Sequence, residues 1–149
     1  RFKRALLSFL EQRSPKMTSK RTHVFSGSIY EELAGYARAV VVDDWIFVSG
    51  TVGVDFETGQ MAEGSETQTS TALDTIEKAL LEAESGLHDI VRVRVYVPDP
   101  EDVMVISGVL KARVGFTYPT NTTICSPLAV PGAKVEIEVE AIRGSGTAK

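Results

Sequence analysis

The stretch YPTNTTICSPLAVPGAKVEIEVEA, residues 118–141, decides the fold of this chain. It begins with a short run rich in β-branched residues, turns at Pro131-Gly132 and ends in V-E-I-E-V-E, residues 135–140. Strict alternation of apolar and charged residues predicts a strand with one buried and one solvated face. The stretch therefore predicts two closing strands, near residues 121–126 and 134–142.

Upstream segments supply the partners of these strands. The runs YARAVVV (36–42) and WIFVSG (45–50) flank Asp43-Asp44, an arrangement that predicts a tight hairpin. Residues 89–98, DIVRVRVYVP, alternate again and predict a strand that buries its valines. A polar second face, with Arg92, Arg94 and Tyr96, is expected on that strand.

Two segments have helical periodicity. From about residue 65 to residue 85, apolar side chains recur at spacings of three and four, and Gly86 is the expected stop. Asp99-Pro100 has the pattern of an N-cap followed by proline in the first turn, and opens a second amphipathic helix. The predicted order is ββαβαββ, an α+β fold with two helices on one face of a mixed sheet.

Composition limits the possible functions. The 149 residues are enough for one domain, and 43% hydrophobic with 24% charged residues is typical of a globular protein. A net charge of −4 makes nucleic acid an unlikely partner, and no apolar run is long enough to span a membrane. One cysteine, two distant histidines and the lack of nucleotide-binding motifs predict no metal and no cofactor.

The chain is expected to divide into three parts. Residues 1–21 are interpreted as an N-terminal extension, flexible or processed, residues 22–143 as the domain, and residues 144–149 as a flexible tail. Residues 1–16 are rich in arginine and poor in acids, so they are either a mitochondrial targeting segment or an upstream extension of a chain starting at Met17. A cytoplasmic location is expected, with a mitochondrial one as the alternative.

Several segments together resemble the Rid family, also called YjgF/UK114 or L-PSP proteins. GYARAVVVDDWIFVSGTVGVDFETG, DIVRVRVYVPDPEDV and the closing stretch match family segments in order and spacing, from about residue 22 to residue 143. The resemblance implies a chorismate-mutase-like subunit assembled as a homotrimer. It also implies pockets between neighbouring subunits for a small metabolite, and, in the best-known branch, hydrolysis of enamines and imines to 2-keto acids and ammonia.

Carried over residue by residue, the resemblance gives a candidate site. Glu136 matches the glutamate that handles water, and Thr123, with the Gly50 backbone, would orient the reacting group. Tyr36 and Ser49 would line the pocket. The arginine that clamps the substrate carboxylate in the family falls on Asn121. An amide cannot supply the charged, two-pronged hydrogen bonding of a guanidinium, so carboxylate binding is expected to be weakened about tenfold to a hundredfold.

The residues around that substitution have more than one interpretation. Asn121 is a polar turn residue, a pocket amide for a ligand of different shape, or a glycan acceptor in Asn121-Thr122-Thr123. Arg94 either brings positive charge to the pocket or pairs with the strand glutamates, and Arg38 is a second candidate of the same kind. Cys125 fits a small buried apolar group better than a nucleophile, because no histidine is near it in sequence.

Three functions follow from this reading. The first is an imine or enamine deaminase-like hydrolase, or an enzyme of related C–N hydrolysis. The second is a non-catalytic small-ligand-binding or chaperone-like trimer. The third is an endoribonuclease, which the acidic balance disfavours.

Overall fold

The computed structural model describes residues 19–147, so the predictions for residues 1–16 lie outside the described residues. The described chain contains eight strands and three α-helices. The strands are β1 (Arg21–Val24), β2 (Ala39–Val42), β3 (Trp45–Val52), β4 (Val54–Asp55), β5 (Gln60–Met61), β6 (Ile90–Val97), β7 (Thr120–Cys125) and β8 (Glu136–Ile142). The helices are α1 (Ile29–Ala34), α2 (Ser65–Glu82) and α3 (Val103–Val114).

Six strands form one sheet in the order β1-β2-β3-β8-β6-β7, while β4 and β5 form a separate small hairpin. All neighbours in the large sheet are antiparallel except β6 and β7, which are parallel. The predicted α+β class and mixed sheet are confirmed. From β2 onward the order of the long strands and helices is also as predicted. The short elements β1, α1 and the β4–β5 hairpin were not predicted.

The two long helices cover one face of the sheet, as their periodicity predicts. Leu73, Ile76 and Leu80 of α2 and Ile106 and Leu110 of α3 are buried in the core. The sheet supplies the opposite side with residues that include Ile46, Val93, Val95, Ile137 and Val139. This layer is the single core cluster among the described residues, and it leaves the other sheet face uncovered within the chain.

The end of α2 differs from the prediction. The helix ends at Glu82 rather than near Gly86, and Glu84 takes a left-handed backbone with φ 58°. The Ser85 N–H donates to the Leu80 carbonyl at 2.8 Å and the Glu84 N–H to the Leu81 carbonyl at 3.0 Å. This is the Schellman arrangement, in which glutamate occupies the position that glycine usually takes. The predicted start of the second helical segment at Asp99-Pro100 is confirmed, since the Asp99 side chain accepts a hydrogen bond from the Glu101 N–H.

The uncovered face, here called the outer face, carries the predicted rows of charge. Arg94 pairs with Glu138 and with Glu140, and Arg92 also pairs with Glu140 at 3.4 Å. Trp45 and Phe47 stack beside these rows with ring centroids 6.2 Å apart, and both are exposed. The interpretation of Arg94 as an ion-pair partner of the strand glutamates matches these contacts.

Residues after β8 are tied to the domain by Asp89, whose side chain is buried. Its carboxylate accepts from the Ser85 hydroxyl at 2.7 Å and from the N–H groups of Gly144 and Gly146, each at 3.0 Å. Residues 144–146, at the start of the predicted flexible tail, are therefore anchored. The boundaries proposed for the three parts of the chain stay predictions. Within residues 19–147, helix length and hydropathy rule out a transmembrane helix.

Candidate functional site

A cavity of about 880 Å³ opens where β3, β8, α1 and the β4–β5 hairpin meet. Four of the predicted site residues line it: Tyr36, Ser49, Gly50 and Glu136. Most of the remaining wall is apolar and consists of residues that the sequence did not identify as part of a site. These lining residues include Ile29, Tyr30, Val52, Phe56, Met61, Val130 and Pro131.

An irregularity in β3 shapes the floor of this cavity. The pairing of β3 with β8 shifts between Val48 and Thr51, which leaves Ser49 and Gly50 in a bulge. The Ser49 hydroxyl donates to the Ala37 carbonyl at 2.8 Å, which fixes the bulge to the segment that carries Tyr36. A Cβ at Gly50 would lie 2.1 Å from Glu136 Oε1. Glycine is therefore required there for the glutamate to reach the bulge.

Glu136 is the chemically active candidate. Its side chain is half-buried, and burial raises its pKa above the usual glutamate value, with a further contribution from the negative charge of Glu138. The positive charge of Arg38 acts in the opposite direction. Unlike Glu138 and Glu140, Glu136 has no hydrogen-bond or ion-pair partner within residues 19–147. A carboxylate in this state can accept a proton from a bound molecule.

Arg38 forms a buried support beneath the bulge. Its Nε lies 3.2 Å from Glu31 Oε1, and both side chains are at most 4% exposed. Its Nη1 donates to the Gly50 carbonyl at 3.0 Å and to the Thr51 hydroxyl at 2.9 Å. The rings of Tyr36 and Phe56 lie 5.7 and 5.3 Å from the guanidinium carbon. The sequence identified Arg38 as a possible charge donor, but nothing in it indicated the partner, Glu31.

The other predicted site residues lie elsewhere in the subunit. Asn121 and Thr123 are exposed on the edge strand β7, where the Thr123 hydroxyl donates to Asn121 Oδ1 at 3.0 Å. Asn121 is in register with Val93, which lies on the helix-covered face, whereas Glu136 lies on the outer face. Two strand spacings and three residues of offset separate them by about 14 Å. One subunit alone does not bring Asn121 to Glu136.

Arg94 and Cys125 are also outside the cavity. Arg94 is on the outer face, where the hydrogen bond to Glu138, outweighing partial burial, raises the pKa of its guanidinium. The expectation that Cys125 is buried is wrong, because the residue is exposed at the end of β7, an edge strand whose residues are all exposed. Among the described residues, no three His, Cys, Asp or Glu side chains are grouped so as to hold a metal ion.

Comparison with known proteins places this fold in a family. The family model described as Endoribonuclease L-PSP matches residues 26–143. A RutC family protein of Pyrococcus abyssi is 30% identical over 120 residues, which are 80% of this chain and 93% of that protein. A 2-iminobutanoate/2-iminopropanoate deaminase of Capra hircus is 29% identical over 110 residues, 73% of this chain and 80% of that protein.

Solved structures lead to the same family. A member of the YjgF/YER057c/UK114 family from Mycobacterium tuberculosis superimposes with a TM-score of 0.76 and 35% identity. The match covers 83% of this chain and 99% of that one. The resemblance drawn from the sequence segments is thereby confirmed, and the chain belongs to the Rid family, the group of YjgF/YER057c/UK114 or L-PSP proteins.

Proposed function

We propose that the cavity around Glu136 is the site of a hydrolase acting on a C=N bond, completed by the β7 strand of a second subunit. The observation that carries the proposal is Glu136 itself, a half-buried, unpartnered carboxylate with a raised pKa beside the Ser49-Gly50 bulge. Structural glutamates of the same row, Glu138 and Glu140, are paired with arginines. A group left free in a cavity is a better candidate for chemistry than its paired neighbours.

In the proposed reaction, water adds to the carbon of a protonated imine while Glu136 takes one proton from that water. The proton held by Glu136 then passes to the carbinolamine nitrogen and makes it a leaving group. As the C–N bond breaks, Glu136 takes the hydroxyl proton and gives it to the departing ammonia, which leaves a carbonyl compound and ammonium. The overall change, R₂C=NH₂⁺ + H₂O → R₂C=O + NH₄⁺, balances in atoms and charge. General acid–base assistance of this kind contributes about 10²–10⁴-fold to a rate.

The remaining residues would position the substrate. Tyr36 and Ser49 line the cavity, and the Gly50 backbone would orient the reacting group. Asn121 and Thr123 would reach the same cavity from a neighbouring subunit, since they lie on an exposed edge and on the opposite sheet face from Glu136 in their own chain. Trp45 and Phe47, which are exposed and stack on each other, support such an assembly, because contiguous apolar patches on a surface mark interaction sites. We propose a homotrimer.

A non-catalytic binding trimer is the second candidate, and Asn121 favours it because an amide removes the charged clamp of the deaminase branch. Ribonuclease activity has less support. The cation that lines the cavity, Arg38, is paired with Glu31. On the outer face, three glutamates outnumber the two arginines of the neighbouring strand, Arg92 and Arg94. Within the described part of the chain, a phosphate backbone would meet no unpaired cation in the cavity or in these rows of charged residues.

The test measures ammonia release from enzymatically generated imines. Light scattering measures the mass of the protein in solution and so shows whether it is an oligomer. Glu136→Gln should lower the catalysed rate about 10²–10⁴-fold. Glu138→Gln is the matched control, because Glu138 is the next carboxylate along β8 but is engaged by Arg94. Equal rates for the wild type and Glu136→Gln would refute the assignment. Ligand binding without turnover would favour the binding trimer, and a monomeric mass would remove the shared site.

A further inference from the structure

The charges around the cavity indicate which ligands it can hold. Among residues 19–147, two that line the cavity are charged at ordinary pH, Arg38 and Glu136, and Arg38 is neutralised by Glu31 at 3.2 Å. The remaining charge belongs to Glu136, which no described residue contacts through a hydrogen bond or an ion pair. The cavity therefore has a net excess of negative charge when Glu136 is ionised.

A neighbouring subunit that contributes β7 does not change this balance. The segment from Tyr118 to Ala133, which contains β7 and part of the cavity wall, has no charged residue. The arginines of the outer face are engaged as well, Arg92 by Glu140 and Arg94 by Glu138 and Glu140. A substrate carboxylate would lose its water in this cavity without gaining a free cation, and that is costly.

The carboxylate of Glu136 can accept hydrogen bonds that no described residue donates, so it favours a ligand with a donor group over one with a carboxylate. An ionised carboxylate only accepts hydrogen bonds, so its natural ligand is an N–H donor. The apolar and aromatic wall formed by residues such as Tyr30, Tyr36 and Phe56 fits a hydrocarbon body attached to that donor. Positive nitrogen beside aromatic rings also gains from the ring quadrupole.

We infer that this site takes small imines and amines that carry no carboxylate, with the nitrogen directed at Glu136 and the hydrocarbon part against the aromatic wall. This inference rests on the proposed function, because it concerns the same cavity. The substrates differ from those named for the deaminase relative, because 2-iminobutanoate and 2-iminopropanoate carry a carboxylate and would be poor substrates here. The product of such a reaction is an aldehyde or ketone rather than a 2-keto acid.

The test compares two substrates that differ only by the carboxylate. Propan-1-imine is generated by an amine oxidase from propylamine, and 2-iminobutanoate by an amino acid oxidase from 2-aminobutyrate, each in the presence of catalase. The wild type should show a kcat/KM for propan-1-imine about tenfold to a hundredfold above that for 2-iminobutanoate, the range set by a missing charged hydrogen bond. Asn121→Arg should shift the ratio toward 2-iminobutanoate by a similar factor. Asn121→Gln, which changes length without charge, should leave the preference for propan-1-imine.

A binding measurement separates this inference from the proposed function. Titration calorimetry at neutral pH should detect binding of propylammonium but not of butanoate. Glu136→Gln should abolish the binding of propylammonium. Preference for propylammonium without turnover of either imine would overturn the hydrolase and keep the ligand class. Faster hydrolysis of 2-iminobutanoate, or tighter binding of butanoate, would overturn the ligand class whatever the turnover.

Discussion

The buried Arg38–Glu31 pair gives the strongest quantitative prediction. We expect Arg38→Met to destabilise the protein by about 3–5 kcal/mol, because it leaves the Glu31 carboxylate buried without its cation. Both side chains are at most 4% exposed, and the Nε–Oε1 distance is 3.2 Å, so solvent cannot replace the lost partner. Methionine keeps a similar length and apolar stem, so loss of packing is a small part of the effect.

That loss is large compared with the about 5–15 kcal/mol that holds a typical domain together. A double-mutant cycle separates the pair from the rest of the change. Glu31→Gln removes the charge and keeps one acceptor oxygen. The Ser26 N–H donates to Glu31 Oε2 at 2.9 Å and the Ser26 hydroxyl to Oε1 at 2.5 Å, so the amide oxygen can serve the N–H while the hydroxyl, which can also accept, meets the amide NH₂. The double variant Glu31→Gln/Arg38→Met should be more stable than Arg38→Met alone.

The assay is urea denaturation at one fixed protein concentration, because assembly makes apparent stability depend on concentration. Circular dichroism follows unfolding, and light scattering establishes that each variant has the same mass before denaturant is added. A loss below about 1 kcal/mol for Arg38→Met would mean that the pair contributes no more than an exposed ion pair, and that Glu31 does not depend on Arg38 for its burial. Either that result or additive losses in the double variant would refute the reasoning.

Two further substitutions test other parts of the account. Gly50→Ala places a methyl group 2.1 Å from Glu136 Oε1, so the glutamate must move and imine hydrolysis should fall at least about tenfold. The circular dichroism spectrum should not change. An unchanged rate of hydrolysis would contradict the close approach of Glu136 to Gly50. Asp89→Asn should cost about 1–3 kcal/mol at neutral pH, measured by urea denaturation. Burial alone would raise the pKa of Asp89, but hydrogen bonds from Gly146, Ser85 and Gly144 outweigh it and lower the pKa. The stability that Asp89 adds is therefore present above the unfolded pKa of about 3.9 and is lost as pH falls through the lower folded value. The difference between wild type and Asp89→Asn should shrink in acid, and a difference that is constant with pH would contradict this.

Periodicity predicted the parts of the fold that depend on one buried face. The alternation at residues 135–140 and the spacing of Leu73, Ile76 and Leu80 correspond to side chains that the core does bury. The strand β1 and the helix α1 escaped prediction because they are short and mostly exposed, with Val24 and Glu31 as their buried residues. A segment that buries one side chain leaves no period to read.

The candidate site could be predicted in part. Tyr36, Ser49, Gly50 and Glu136 meet in one cavity. The family resemblance alone identified them, since none of the four belongs to a catalytic motif that the sequence shows by itself. What the sequence did not indicate was that Asn121 and Glu136 lie on opposite faces of one sheet. Register decides that, because a shift of one residue would exchange the faces.

Pairing between charged residues was the least predictable feature. The sequence left Arg94 either as a pocket cation or as a partner of the strand glutamates, and its contacts with Glu138 and Glu140 match the second interpretation. Arg38 was a second candidate for the pocket, but it pairs with Glu31 from a helix that has no sequence signal. These contacts depend on which elements pack together, and composition and spacing carry no record of that.

The pH dependence of kcat/KM for imine hydrolysis tests the central claim most directly, with wild type and Glu136→Gln measured side by side. If Glu136 is the proton acceptor, activity should rise with pH through an ionisation above the ordinary glutamate pKa, because burial and the charge of Glu138 raise the pKa of this carboxyl. The residual activity of Glu136→Gln should lack that ionisation. The same ionisation in both proteins, with similar rates, would contradict the role of Glu136.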